Sequence, residues 1–456
     1  MTAPVEKVRH WVKQQVENYT LMDALRGRRS RRFGLGMEIP QGPFTYKSKY
    51  SPQALTEEEE AALVFAGGGI TGYILADLSY GKGQGGNMLA GMIGRTAGSA
   101  DSIQTVSLFV INDEATYYVK RPQNIPFEQR AELIELAEKG ELVELYRRLR
   151  VKIADGRTEI PVEPGINFNI NKWSVYAKGG TYFVPVNDMT SVYINGLLEI
   201  FEPEMGLYVV DERNFFLPAG IRKWGKRFGG HLNDDFTSGK VATIQGIEMS
   251  FAEAMCVEQG GMLQNINLMG QALGIGGFAN YARNEYNWLQ ALGFTMETMP
   301  SPRYAGAGWL MSLLVKLIGQ SYPFPYAVNL KHESETLLQS YAPPNYPDME
   351  AAVRAYVNYK FGSNGAWRKA TDGSLWQDSQ KYSEQIKAPS EAAIQATIDF
   401  CTYCFKRYGR FPVYSAPFRT IIGYQATHVD VDFYDQFYHP EALSVTQRER
   451  FKLWEA

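Results

Sequence analysis

Apolar and polar positions recur with two different periods along this chain. Over residues 5–25, Val8, Trp11, Val12, Val16, Tyr19, Leu21 and Leu25 return at helical spacing among charged residues, which predicts a helix ending near Gly27. A second helix is predicted at LTEEEEAALVFA, residues 55–66. There Thr56 is placed to cap the first turn, the glutamates 57–60 complement the helix dipole, and 61–65 form the apolar face. Residues 127–150 predict a helical pair broken at Gly140. The run VSLFVI at 106–111 is apolar and β-branched, the pattern of a buried strand.

From 151 to 246 the texture changes to short strand signals punctuated by Gly179, Gly180, Pro185, Gly196 and Pro203, which reads as an insertion. Helical character returns over 247–279, the most regular segment of the chain. Leu263, Ile266, Met269 and Leu273 share a face there, Gly260 and Gly261 admit a close backbone, and GIGG at 274–277 supplies a C-cap and a tight turn. The methionines 255, 262 and 269 read as core packing. Another helical run spans about 390–408, and no internal repeat interrupts the chain. The expected organisation is a core in two parts, 1–150 and 247–330, with an insertion at 151–246 covering the site as a substrate lid. A structural C-terminal extension, 331–456, completes it.

Composition narrows the chemistry. With 456 residues, 45% hydrophobic and 21% charged, the chain has the make-up of a globular protein. A formal net charge of −3 offers no global basic field, so neither nucleic acid nor a membrane surface is an expected partner, and a small-molecule substrate is. Three cysteines are too few for a disulfide framework. The N-terminal stretch is charged every few residues and lacks an apolar signal region, so a cytoplasmic location is expected.

Three motifs carry less than they offer. GGGITG at 67–72 follows a helix rather than a strand, so the phosphate-cradling order of a dinucleotide fold is missing. CTYC at 401–404 has no second cysteine pair and sits in a helical pattern, as buried helix cysteines would. In HVDVDFYDQFYH at 428–439, Val429, Val431 and Phe433 alternate with His428, Asp430 and Asp432 as on a half-buried strand, and no metal is expected there.

What remains is a constellation of three distant pieces. GRRSRRF at 27–33 places Ser30 between Arg28 and Arg32, a hydroxyl between two guanidinium forks, which suits a phosphate. The loop GSADSIQ at 98–104 puts Ser99, Asp101, Ser102 and Gln104 at the mouth of the buried strand, where such groups need partners. The third piece is the helix ending in QNINLMGQALGIG, residues 264–276. This order of motifs resembles the FMN-dependent nitroreductase superfamily. The resemblance implies an α+β fold with a central mixed sheet flanked by helices, and FMN as cofactor. It implies that Arg28, Ser30 and Arg32 hold the FMN phosphate and ribityl chain, that Ser99, Ser102 and Gln104 meet the flavin, and that Gly274 and Gly276 belong to the third cofactor motif. It further implies a homodimer and two-electron (hydride) transfer through the flavin to or from a small organic substrate, with NAD(P)H as a candidate donor and no side chain assigned as acid or base. Residues 55–72 also resemble the azoline-dehydrogenase branch, which acts on modified peptides. A binding or scaffold protein of the same fold, with a degenerate flavin site, is the alternative from another functional class.

Overall fold

The computed structural model describes residues 5–75, 93–99, 102–160, 173–174, 177–282, 285–363, 365, 375–385 and 388–455. Asp101 of the polar loop and Tyr176 of the expected lid lie outside the described residues. The fold is α+β. A seven-stranded sheet runs in the order Ile275–Tyr281, Ile422–His428, Thr181–Asp188, Val106–Ile111, Ala115–Val119 and Arg150–Asp155, and the short strand Phe418–Arg419 also pairs with Thr181–Asp188. All these pairings are antiparallel, which corrects the mixed sheet expected from the sequence.

The strand Val106–Ile111 is buried at every position because both faces of the sheet are covered. Val106, Leu108 and Val110 pack with Leu63, Met262 and Ile266 on one side, while Phe109 and Ile111 pack with Trp288 and Phe294 on the other. Burying each such side chain contributes roughly 1.5–3 kcal/mol. On the first side lies the helix Ile244–Leu273, capped by Thr243 at its start and by Gly274, at φ +77°, at its end. Its 30 residues span ~45 Å, so it serves as the ruler along which distant segments are attached.

Two expected boundaries move. The segment 151–246 supplies the central strand Thr181–Asp188 and the buried helix Met189–Ile200, so its first half is core rather than insertion. The segment 331–456 supplies Ile422–His428, which lies between Ile275–Tyr281 and Thr181–Asp188. The alternation expected to form a strand at 428–433 also resolves differently: the strand stops at His428, and Asp430 caps the helix Val431–Phe437 by accepting from the Phe433 amide.

The acidic helix Glu57–Gly68 keeps its expected capping box at Thr56 and Glu59, yet Glu58, Glu59 and Glu60 are buried. Glu59 accepts from the Thr56 amide at 2.9 Å and from Arg450 Nε at 2.9 Å, and it lies 3.4 Å from His428 Nε2. Burial works to raise its pKa, and Arg450, His428 and the Thr56 amide together outweigh that, holding it below the ordinary value. Glu60 accepts from Asn112 at 3.0 Å and Thr181 at 2.9 Å, and burial pushes its pKa up to about 7.

Burial also lowers His428 to about 4. A histidine whose folded value lies below its unfolded one makes stability fall as pH drops from about 6.5 to about 4, by about 3 kcal/mol in this case. Glu60 acts in the opposite sense: the folded state prefers its acid form, so its contribution falls as pH rises from about 4.5 to about 7. The expected outcome is therefore a difference curve. Urea unfolding of wild type and His428→Gln across pH 4–7 should diverge, wild type gaining relative stability as pH rises. Parallel curves would place the histidine in a wetter setting than the fold gives it.

Candidate functional site

The short helix Leu21–Gly27 ends as Arg28 leaves helical geometry, and residues 28–32 continue without regular structure. The four arginines of this turn then do different work. Arg28 is half-buried, and its charge acts on the buried Tyr424 hydroxyl. Arg29 donates to the carbonyls of Arg26 and Arg28. Arg31 turns inward, donating to Gln271 Oε1 at 2.8 Å, the Ala442 carbonyl at 2.8 Å and the Gly27 carbonyl at 3.2 Å. Arg32 donates to Ser174 Oγ at 3.0 Å and stacks over Phe278 at 4.5 Å and Trp173 at 5.1 Å.

Beside this turn opens a cavity of about 1030 Å³ whose wall includes Arg29, Ser30, Arg31 and Arg32. Its aromatic side holds Phe33 stacked on Phe433 at 4.1 Å, with Trp173 and Tyr434. Glu38 also lines it, but Lys47 at 3.0 Å offsets that charge, so guanidinium groups dominate the local field. Burial pushes Arg31 and Arg32 below the usual arginine range, and a guanidinium stays charged in a protein regardless. The wall thus pairs fixed cations and a hydroxyl with flat apolar rings, the complement of an anionic group joined to a planar one.

Of the residues expected at the first motif, Ser30 and Arg32 line this cavity and Arg28 does not. Arg29 and Arg31, which do, were missed because in a run of R-R-S-R-R only the backbone path decides which guanidinium faces where. Gly276 lies against the same turn: a Cβ there would sit 2.5 Å from the Arg31 carbonyl, so the strand passes close only because the residue is glycine. Gly274 lies instead under the last helix, Val445–Glu455, where a Cβ would meet the Thr446 carbonyl at 2.8 Å.

The polar loop is held elsewhere. Glu258, buried on the long helix, accepts from Ser99 Oγ at 3.2 Å, Thr105 Oγ1 at 3.0 Å, and the amides of Thr105 and Val106 at 3.3 Å each. Ser99 Oγ in turn accepts from the Gln104 amide at 2.8 Å. Ser102 and Gln104 both take left-handed backbone, φ +55° and +53°, a conformation that costs non-glycine residues about 1–3 kcal/mol each and persists only where the surroundings enforce it. The Gln104 side chain donates to the Ile93 carbonyl, and its buried Oε1 has no hydrogen bond among the described residues. Arg95 is half-buried where the charge of Glu258 reaches it, donating to the Gly68 and Val106 carbonyls at 2.7 and 2.8 Å. Beside the loop, a second cavity of about 310 Å³ is lined by Ile103, Arg121, Asp188, Ser191, Tyr341 and Tyr356 among others.

The loop's polar groups therefore find much of their pairing within the chain, on a carboxylate the motif reading overlooked. A signal was present: Glu258 falls on the same helix face as Met255, Met262 and Ile266, a charge within an apolar stripe. The first and third motifs converge, through Arg31 on Gln271 and Gly276 on Arg31. The second is bound to Glu258, thirteen residues earlier on the same helix, ~20 Å along its axis. Cys401 and Cys404 are buried, unbridged thiols in the helix Glu391–Tyr408.

No family model and no curated protein matches the chain. Among solved structures it is similar to a protein of Ralstonia eutropha JMP134 provisionally named a nitroreductase, at 12% identity and a TM-score of 0.27. That match covers 60% of this chain and 75% of that one. A score this low leaves fold family and activity to be argued from the site.

Glu258→Ala should release the loop. Four donors would lose a buried acceptor, Arg95 would lose its opposing charge, and the loss should amount to about 3–5 kcal/mol of stability. Amide exchange at Thr105 and Val106 should rise more than at Val110, which the sheet protects independently. Equal exchange in both proteins would show that the loop holds its shape without the carboxylate.

Proposed function

We propose that the chain is an FMN-dependent oxidoreductase of nitroreductase type, moving two electrons between the flavin and a small organic substrate. The observation that supports this is the cavity of about 1030 Å³ at the basic turn, with guanidinium groups and a hydroxyl beside aromatic rings. Its volume suits a cofactor-sized ligand. Ser30 and Arg32, joined by Arg29, would hold the phosphate, and the half-buried Trp173 would meet flat ring surface. FMN, when bound, supplies hydride and two-electron chemistry. The chain's own residues bind, orient and desolvate it, and NAD(P)H is the donor we propose.

Within one chain the partners of Ser99 and Arg31 on the long helix, Glu258 and Gln271, lie ~20 Å apart, so in this reading Ser99, Ser102 and Gln104 would be brought to a flavin here by another copy of the chain. The reading therefore includes a homodimer. A second reading rests on the same loop: Glu258 already pairs with Ser99, Thr105 and Val106, as in a binding or scaffold protein that has no flavin chemistry.

The two readings part in one experiment. The purified protein should be yellow, with a flavin spectrum that bleaches under NAD(P)H, whereas a scaffold protein stays colourless after incubation with FMN. Arg32→Ala should weaken FMN binding about tenfold to a hundredfold, and Arg28→Ala, away from the cavity wall, should leave it near wild type. Unchanged affinity in Arg32→Ala, Ser30→Ala and Arg29→Ala alike would move the phosphate to another site.

A further inference from the structure

The helix Trp309–Leu317 lies in the connection between two paired strands, Phe294–Pro300 and Pro323–His332, of a three-stranded sheet, and none of its residues is buried. From Trp309 to Ile318 seven large apolar side chains are exposed, Trp309 at 80% and Leu317 at 73%. At 100° per residue these positions and Val315 sweep about 240° of the circumference, leaving only Ser312 and Lys316 in the remaining arc. A helix lying on one protein surface needs an apolar stripe little over 100° wide. An arc twice that calls for immersion rather than contact.

A second apolar element adjoins it. Phe215 and Phe216 occupy consecutive left-handed positions, φ +53° and +57°, which project them at 90% and 55% exposure, with Leu217 following. The neighbouring Arg213 guanidinium fills the space a side chain at Gly306 would take, in the loop leading to the apolar helix. Contacts from Asn214 to Tyr403 and from Lys223 to Asp399 continue this surface along the helix Glu391–Tyr408 to the exposed Phe228 turn.

Charge singles out the same segments. No aspartate or glutamate occurs in residues 213–233 or 298–332. At the chain's average of 49 acids in 456 residues, 56 residues would hold about six. The first stretch carries Arg213, Arg222, Lys223, Lys226 and Arg227, and the second carries Arg303, Lys316 and Lys331. Lys223 and Arg227 pair with Asp399 and Asp234, at 2.8 and 3.2 Å. Lys226 and Lys316 are exposed and take part in no ion pair among the described residues.

We propose that this face docks on an anionic lipid surface, with the helix Trp309–Leu317 sunk in the interfacial layer and the lysines and arginines around it meeting headgroups. Nine residues measure ~14 Å, less than half of the ~30 Å apolar core of a bilayer, so the helix lies in one leaflet and does not span. Basic side chains beside exposed aromatic and aliphatic ones are the two signals that stable peripheral binding combines.

Co-sedimentation of the full chain with phosphatidylcholine vesicles, with and without phosphatidylglycerol, tests this. The bound fraction should be at least about tenfold higher on the anionic vesicles and fall as salt is raised. Leu314→Glu with Leu317→Glu, both at exposed positions, should return binding to background while thermal unfolding stays near wild type. Lys226→Glu with Lys316→Glu should remove the preference for anionic lipid. The emission of Trp309 should shift to the blue on anionic vesicles, a shift missing in Trp309→Phe. Failure to bind anionic vesicles, or equal binding by the leucine variant, would overturn the proposal. So would a leucine variant that turns a dimer into a monomer without any vesicle binding in wild type, since a second copy would then cover the helix.

Discussion

Buried carboxylates set the terms of this fold. A carboxylate removed from water must be met by donors, and stripping a partner from such a group costs about 3–5 kcal/mol. Four of those buried among the described residues are met from far along the chain. Glu59 is reached by Arg450 of the last helix, and Glu60 by Asn112 from the turn after Val106–Ile111 and by Thr181 from a strand. Glu248 accepts from the Val413, Tyr414 and Ser415 amides at 2.8, 2.7 and 2.6 Å, and Glu258 takes the mouth of the strand Val106–Ile111. Burial lifts Glu248 to about 7, as it does Glu60, while Glu59, opposed by arginine, stays low. Two helices therefore carry acid groups as attachment points for segments distant in the chain.

This explains which parts of the structure were legible in the sequence. Helices write themselves locally: the break at Gly140, the cap at Gly274 and the run 391–408 follow from residues within a few positions of one another. Strand partners do not. Thr181–Asp188 carries Pro185 and ends in Asn187 and Asp188, so it reads as punctuation, and only its neighbours from 106–111 and 422–428 make it central. The glutamates 57–60 showed the same ambiguity. Four acids in a first turn suit the helix dipole, and nothing local reveals that Arg450 and His428 wait for one of them.

Net charge averages over what local charge resolves. A net charge of −3 removes a long-range basic field, yet local binding depends on how charges are segregated within about a Debye length, ~10 Å at ordinary salt. Two acid-free stretches can coexist with near-neutrality because the acids are concentrated elsewhere, several of them inside the protein. The same segregation shapes the site: Glu38 is offset by Lys47, which leaves the basic turn's charge to face its cavity.

The basic turn also divides its labour by helix polarity. The carbonyl end of a helix carries partial negative charge, and cations there are stabilising without any ligand. Arg29 and Arg31 both donate to carbonyls at the end of the helix Leu21–Gly27, and Arg31 adds Gln271, three residues before the Gly274 cap of the long helix. The cavity thus opens beside the carbonyl end of the helix Leu21–Gly27, which favours cations there. Arg32, which approaches Ser174 and the rings of Trp173 and Phe278 instead of a helix end, is the guanidinium whose position the fold fixes by other means. Within this run of four arginines, Arg29 and Arg31 thus quiet helix ends, while Arg32 is set at the cavity wall by Ser174 and the two rings.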